Sequence, residues 1–247
     1  MRPMKPVVLM FALVTVAAAQ SPEPPLSDTR LTVHTLVRED MFAGFLENDM
    51  TRFARGETNI DALLEQRPGD RANLLAWKGS GALYRAVRAH EAGNAADFQK
   101  HFEQVQRNFA EAAKLPSGND GVFAIIGGSM SVFADRLPAE VRPAAWSQAY
   151  DAYSLLWKFQ GPAVDKLPVH FRGELLAGLA QSAQRTGRTE EAAQYLDRLV
   201  TSLAGTQYEP EAKRWKADPA AAANSKITCK NCHNPGRLSS RLRELGQ

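Results

Sequence analysis

Apolar residues along this chain recur at intervals of three and four nearly from end to end, the spacing of helices that bury one face. The pattern predicts helical segments around 37–54, 58–67, 70–91, 95–114, 120–136, 141–159, 165–185, 188–203 and 208–217. Breaks fall at Pro68-Gly69, Gly93-Asn94, Pro116-Ser117-Gly118, Pro138, Gly161-Pro162 and Gly187, where proline or glycine interrupts the helical backbone. Asp70 and Thr189 stand at helix starts, where a short polar side chain can cap exposed backbone N–H groups. Glu39-Asp40 and Glu190-Glu191 read as charges that favour the amino end of a helix. No run alternates with the period of a strand, so an all-α fold is expected. Trp77, Trp146, Trp157 and Trp215 fall at helical positions and are expected in the core.

The ends of the chain have a different pattern. Arg2 and Lys5 precede a thirteen-residue apolar run, Val7 to Ala19, that closes on Ala17-Ala18-Ala19. A charged start, a short apolar stretch and small residues are the features of a secretory signal, with cleavage expected after Ala19. The run is short for a membrane span, which takes about 20 residues. The expected division is a signal peptide at 1–19, a proline-rich flexible leader at 20–35, a helical repeat domain at 36–219 and a C-terminal C-x-x-C-H segment at 220–247. The formal net charge is +3, and Arg2 and Lys5 carry two of those charges. With no dense Lys/Arg block, nucleic acid is not an expected partner. The expected location is periplasmic or secreted, with no membrane span after cleavage.

Successive helix pairs raise the question of repeats. Trp77-x-x-Ser80-Gly81-x-x-Tyr84, with Phe109 and Ala112 before Pro116, resembles the tetratricopeptide repeat, with Ser80 in place of its leucine. Residues 91–102 then read as an insertion in the 34-residue unit. A second unit resembles the repeat more closely in spacing: Leu176-x-x-Leu179-Ala180-x-x-Ala183, a turn at Gly187, then Ala192 and Leu196. Residues 120–159 offer a degenerate middle pair. The chain as a whole resembles secreted bacterial tetratricopeptide-repeat-like proteins that end in a single C-x-x-C-H. That resemblance implies antiparallel helix pairs stacked as a solenoid, with a short C-terminal haem-binding tail. Its concave face would receive a peptide or a protein redox partner.

Both cysteines of the chain lie in Cys229-Lys230-Asn231-Cys232-His233, the attachment signature of c-type haem. On one helical turn, positions 229, 232 and 233 share a face. Cys229 and Cys232 could then form thioethers to one covalent haem c, with His233 as the proximal ligand of the haem iron. Arg237, Arg241 and Arg243 follow, and either face the haem propionates or form a solvated helix face. Export is compatible with covalent haem and equally with a disulfide between the cysteines. A thiol redox centre lacks its βαβ context here, and zinc would lack a fourth ligand.

The motif lies 14 residues from the end. In that position it resembles cytochrome c-prime, which implies an open sixth coordination site. No methionine or histidine follows His233, so a sixth ligand would come from Met41, Met50, Met130, His34, His90, His101 or His170, among which the sequence does not choose. There is no G-x-S-x-G, H-E-x-x-H or phosphate-binding glycine loop, which leans against a stand-alone enzyme. The leading expectation is an exported c-type monohaem protein for electron transfer or docking to a redox partner. The alternatives are a non-haem adaptor with a C-x-x-C disulfide and a haem-based sensor of small ligands.

Overall fold

The structure, a computed structural model, describes residues 22–115, 121–220 and 236–246. Among these residues the chain is helical throughout, without a strand, and its helices pack in pairs. The elements are α1 (Val33–Glu47), α2 (Met50–Gln66), α3 (Arg71–Glu91), α4 (Ala95–Lys114), α5 (Gly121–Phe133), α6 (Arg142–Gln160), α7 (Val169–Arg185), α8 (Thr189–Ser202), α9 (Glu209–Ala217) and α10 (Arg237–Glu244). Pairs α1/α2, α3/α4, α5/α6 and α7/α8 are the most extensively packed neighbours. None of the helices is long and apolar enough to cross a membrane.

Turn chemistry decides most boundaries. Gly93 and Gly187 adopt φ of +72° and +74°, the left-handed geometry that stops α3 and α7. The first break differs from expectation. The chain turns at Asn48, which takes φ 59°, and Asp49, whose Oδ1 accepts from the backbone N–H of Thr51 and Arg52 at 3.1 and 3.0 Å. Gly56 lies inside α2 and does not interrupt it. A Cβ there would stand 3.0 Å from Met41 Sδ and 3.2 Å from Asp40 Cβ, so glycine permits α1 and α2 to approach closely. Residues 91–102, read as an insertion in the repeat unit, are helical apart from a short turn. They complete α3, turn at Ala92–Asn94 and begin α4, so this pair is longer than a standard unit.

Two apolar clusters make the core. One runs from α1 to the start of α6 and includes Trp77, Trp146 and Leu238. The other joins the end of α6 to α7, α8 and α9 and includes Trp215, with half-buried Trp157 packed against it. They meet at Tyr153, fully buried on α6. Its ring lies against Gly127 of α5, and a Cβ at Gly178 of α7 would overlap it.

Charge also ties helices together. Asp40 is 2 % exposed and accepts from Arg55 Nε and Nη2, both at 2.6 Å, and from Arg52 Nε at 3.1 Å. Glu39-Asp40 therefore sits mid-helix, because its acceptors serve other segments. Within the stretch 20–35 read as a leader, Arg67 donates to the carbonyls of Leu26, Asp28 and Leu31 at 2.6 to 2.8 Å, and Leu31 is buried.

Asp40→Ala should lower stability by roughly 2–3 kcal/mol. That is below the about 3–5 kcal/mol for breaking a fully buried pair, because both arginines reach solvent. The urea unfolding midpoint, followed by circular dichroism, measures this.

Candidate functional site

Cys229, Cys232 and His233 lie outside the described residues, so the site is built from what flanks them. Downstream, α10 lies against α1. Leu238, Leu242 and Leu245, at i, i+4 and i+7, pack into the first apolar cluster, and Leu238 is 2 % exposed. Glu39 on α1 holds the start of this helix. Its Oε1 accepts from the N–H of Gly236 at 2.6 Å and its Oε2 from the N–H of Leu238 at 3.0 Å. Gly236 takes φ 90°, so the chain enters α10 through a sharp bend. Arg237 is thereby placed on the wall of a cavity of about 640 Å³. His233 precedes Arg237 by four residues.

The cavity lies at the seam between the two apolar clusters. Its apolar lining includes Phe42 and Trp77 on one side and Leu167, Phe171 and Leu175 on the other, with Ile125 and Val132 of α5 between. Two histidines line it, each second in its helix: His34 on α1 and His170 on α7. Thr32 caps α1 by accepting from the N–H of Thr35 at 3.2 Å. Pro168 starts α7 and receives the N–H of Phe171 and Arg172 on its carbonyl at 2.9 and 3.1 Å.

Both imidazoles are neutral near pH 7. Burial, then the charges of Arg38 and Arg237, lower the His34 pKa to about 3, and its half-buried ring faces the cavity. Burial and the same two arginines lower that of His170. The positive end of each helix acts in the same direction. The His34 ring lies 5.2 Å from that of Trp77, and its Nε2 is 3.5 Å from Arg38 Nη1. The His170 ring lies 4.2 Å from that of Phe171. Trp77, 2 % exposed, has an indole N–H without a partner among the described residues.

Beside this cavity is a smaller one of about 240 Å³ that shares Thr35, Arg38 and Arg237 and adds Ser240, Arg241 and Glu244. Arg241 is paired with Glu244 at 2.6 Å. The large cavity is mainly apolar, and its charged lining is mixed: Arg38 and Arg237 with the carboxylates of Asp70 and Glu174. Such a cavity suits an apolar molecule, and its neutral imidazoles are potential metal ligands. Arg243 lines neither cavity.

The other residues named as sixth-ligand candidates lie elsewhere. Met41 and Met130 are fully buried in the first apolar cluster, and Met50 is half-buried against it. His90 is exposed beside Phe98, and His101 Nδ1 is 3.1 Å from Gln104 Oε1. Sequence reasoning did not single out Arg38, nor the pairing of the two histidines. One signal was available: Leu31-Thr32-Val33-His34 and Leu167-Pro168-Val169-His170 repeat an L-x-V-H pattern before two helices. Among the described residues, no three His, Cys, Asp or Glu side chains converge on a metal position. No protein-family model matches this chain, and neither a curated protein nor a solved structure does.

The His34 shift has a signed consequence. The unfolded imidazole titrates near about 6.5, the folded one at about 3. In that window the unfolded chain takes up a proton that the folded chain refuses. Stability from this group is full above about pH 6.5 and is lost as pH falls toward 3, by up to about 1.4 kcal/mol per pH unit. His34→Gln should make the decline in urea midpoint across that window shallower. An unchanged slope would show that His34 is not held neutral.

Proposed function

We propose that this protein is an exported c-type monohaem protein that transfers electrons, built on a stacked helix-pair scaffold. One observation carries the reading. Arg237, four residues after the C-x-x-C-H, lines a slot of about 640 Å³ that already holds two neutral imidazoles and a second arginine. The slot lies within the about 300–1,000 Å³ typical of ligand and cofactor pockets. Its apolar walls suit a macrocycle, its charged lining sets Arg38 and Arg237 together with Asp70 and Glu174, and Trp77 has a buried indole N–H without a partner among the described residues.

In this reading Cys229 and Cys232 would hold the haem as thioethers and His233 would ligate its iron. Arg38 and Arg237 would stand near its carboxylates, and Trp77, Phe42 and Leu175 would exclude water. The haem supplies one-electron chemistry when bound. The leader 1–19 delivers the chain to the periplasm, where covalent attachment belongs.

The finer architecture we propose is a tetratricopeptide-repeat-like solenoid. Support comes from α3/α4, where Trp77, Ser80 and Tyr84 are buried and Phe109 packs on Gly79, and from α7/α8, where Leu176, Leu179, Ala183, Ala192 and Leu196 are buried. Its concave face would receive the redox partner.

The test is expression with the leader in a host that matures c-type cytochromes. Haem that survives denaturation, with a c-type pyridine haemochrome at one per chain, is expected. It should be lost in the Cys229→Ala, Cys232→Ala double variant. A wild-type chain without covalent haem, its cysteines joined as a disulfide, would favour the adaptor reading instead.

A further inference from the structure

We infer that the large cavity binds an uncharged aromatic molecule bearing a hydrogen-bond-accepting oxygen, with Trp77 as the donor to that oxygen. The inference goes beyond the haem reading and does not rest on it, because every residue it uses is described.

The first observation is a buried donor. Trp77 lines the cavity and is 2 % exposed, and its indole N–H has no partner among the described residues. A donor taken out of water without a partner costs free energy, which a ligand acceptor recovers on binding. Ser129, on the same lining, does not compete for that acceptor. The hydroxyl of Ser80 donates to the Ala76 carbonyl at 2.9 Å, so its 2.6 Å contact with Ser129 Oγ is a bond that Ser129 donates. An indole N–H only donates, so the ligand group it meets must accept.

The second observation is charge balance. Among the described residues, Arg38 and Arg237 share the lining with Asp70 and Glu174, two cations with two carboxylates. His34 and His170 add no charge near pH 7, since burial foremost holds both neutral. An ion would leave water for a lining with no net charge to offset its desolvation. The rings around Trp77 set the shape. Phe42 meets its ring at 5.9 Å and 87°, and His34 at 5.2 Å and 44°. Phe171 lines the cavity yet is 48 % exposed, an apolar ring that an inserted ring would cover. The volume of about 640 Å³ is that of a small-molecule site.

Haem seated in this cavity would exclude such a molecule. The test therefore uses the full chain carrying Cys229→Ala and Cys232→Ala, which holds no covalent haem. Three probes of one shape are titrated by isothermal calorimetry: acetylnaphthalene, isopropenylnaphthalene, in which carbon replaces the oxygen, and anionic naphthoate. Acetylnaphthalene should bind, and naphthoate should bind at least about tenfold more weakly. Adding Trp77→Phe should weaken acetylnaphthalene about fivefold, the effect of one neutral hydrogen bond, and leave isopropenylnaphthalene nearly unchanged. Gly128 also lines the cavity, and a Cβ there would have no neighbour closer than Glu174 Oε1 at 3.5 Å. Gly128→Leu should therefore fold and block both neutral probes. With Trp77 intact, one of the four indole N–H signals in a proton–nitrogen spectrum should move downfield with acetylnaphthalene and not with isopropenylnaphthalene. Absence of acetylnaphthalene binding would overturn the inference. So would naphthoate binding as tightly, an equal effect of Trp77→Phe on both neutral probes, no moving indole signal, or binding that Gly128→Leu leaves intact. None of these outcomes touches the haem reading, which stands or falls on the haemochrome of the wild type.

Discussion

Glu39 joins the two ends of the described chain. Its carboxylate accepts from the backbone N–H of Gly236 and Leu238, two of the donors that the first turn of α10 cannot satisfy within itself. A negative charge at that position also meets the positive end of the helix. The bond spans almost two hundred residues of sequence, and everything at the candidate site follows from it. It fixes where α10 starts, which places Arg237 on the cavity wall. The adjacent Asp40 ties α1 to α2 through Arg52 and Arg55. Arg52 also donates to the Glu39 carbonyl at 3.2 Å, so the platform that caps α10 is itself held. Two neighbouring carboxylates thus hold α1 to both the helix that follows it and the last helix described.

The cavity exists because two apolar clusters meet along a seam and do not merge. Tyr153 fills the lower part of that seam, held between Gly127 and Gly178, where any larger residue would force the helices apart. Residues of α1, α3, α5, α6 and α7 border the cavity, Leu156 among them. His34 and His170 enter it from first turns, where positive helix ends favour neutral imidazole. Arg38, one turn further along α1, and Arg237, at the start of α10, contribute positive charge to the same end. Imidazoles that are neutral because they are desolvated, close to cations that discourage their protonation, are suited to metal ligation and poorly suited to proton transfer near neutral pH.

Local chemistry made much of this legible. Gly93 and Gly187 stop their helices by taking positive φ, and a glycine flanked by helical periodicity announces such a stop. Gly56 lies inside α2, in the stretch between the expected segments 37–54 and 58–67. Nothing local distinguishes a glycine that ends a helix from one that admits a neighbour, and here Met41 and Asp40 are the neighbours. The real turn, at Asn48-Asp49, carries its own signals: a residue tolerant of left-handed backbone, then a capping carboxylate. Glu39-Asp40 shows the converse case. Acidic residues were read as favouring a helix amino end, and Glu39 does cap one, but it belongs to a helix at the far end of the chain.

The sequence by itself determined the all-helical class, most of the breaks and the five residues whose chemistry suggests haem, because periodicity, turn propensity and motif spacing act over a few residues. Arg237 was legible as a basic residue near the motif for the same reason. The tertiary structure alone decided that His34 and His170 line one cavity, that Arg38 joins Arg237 at its end, and that Met41 and Met130 are packing residues. The first two of those relations join positions more than a hundred residues apart. They depend on which helix faces meet, and that is set by the fit of Tyr153 into its glycines and of Glu39 onto α10.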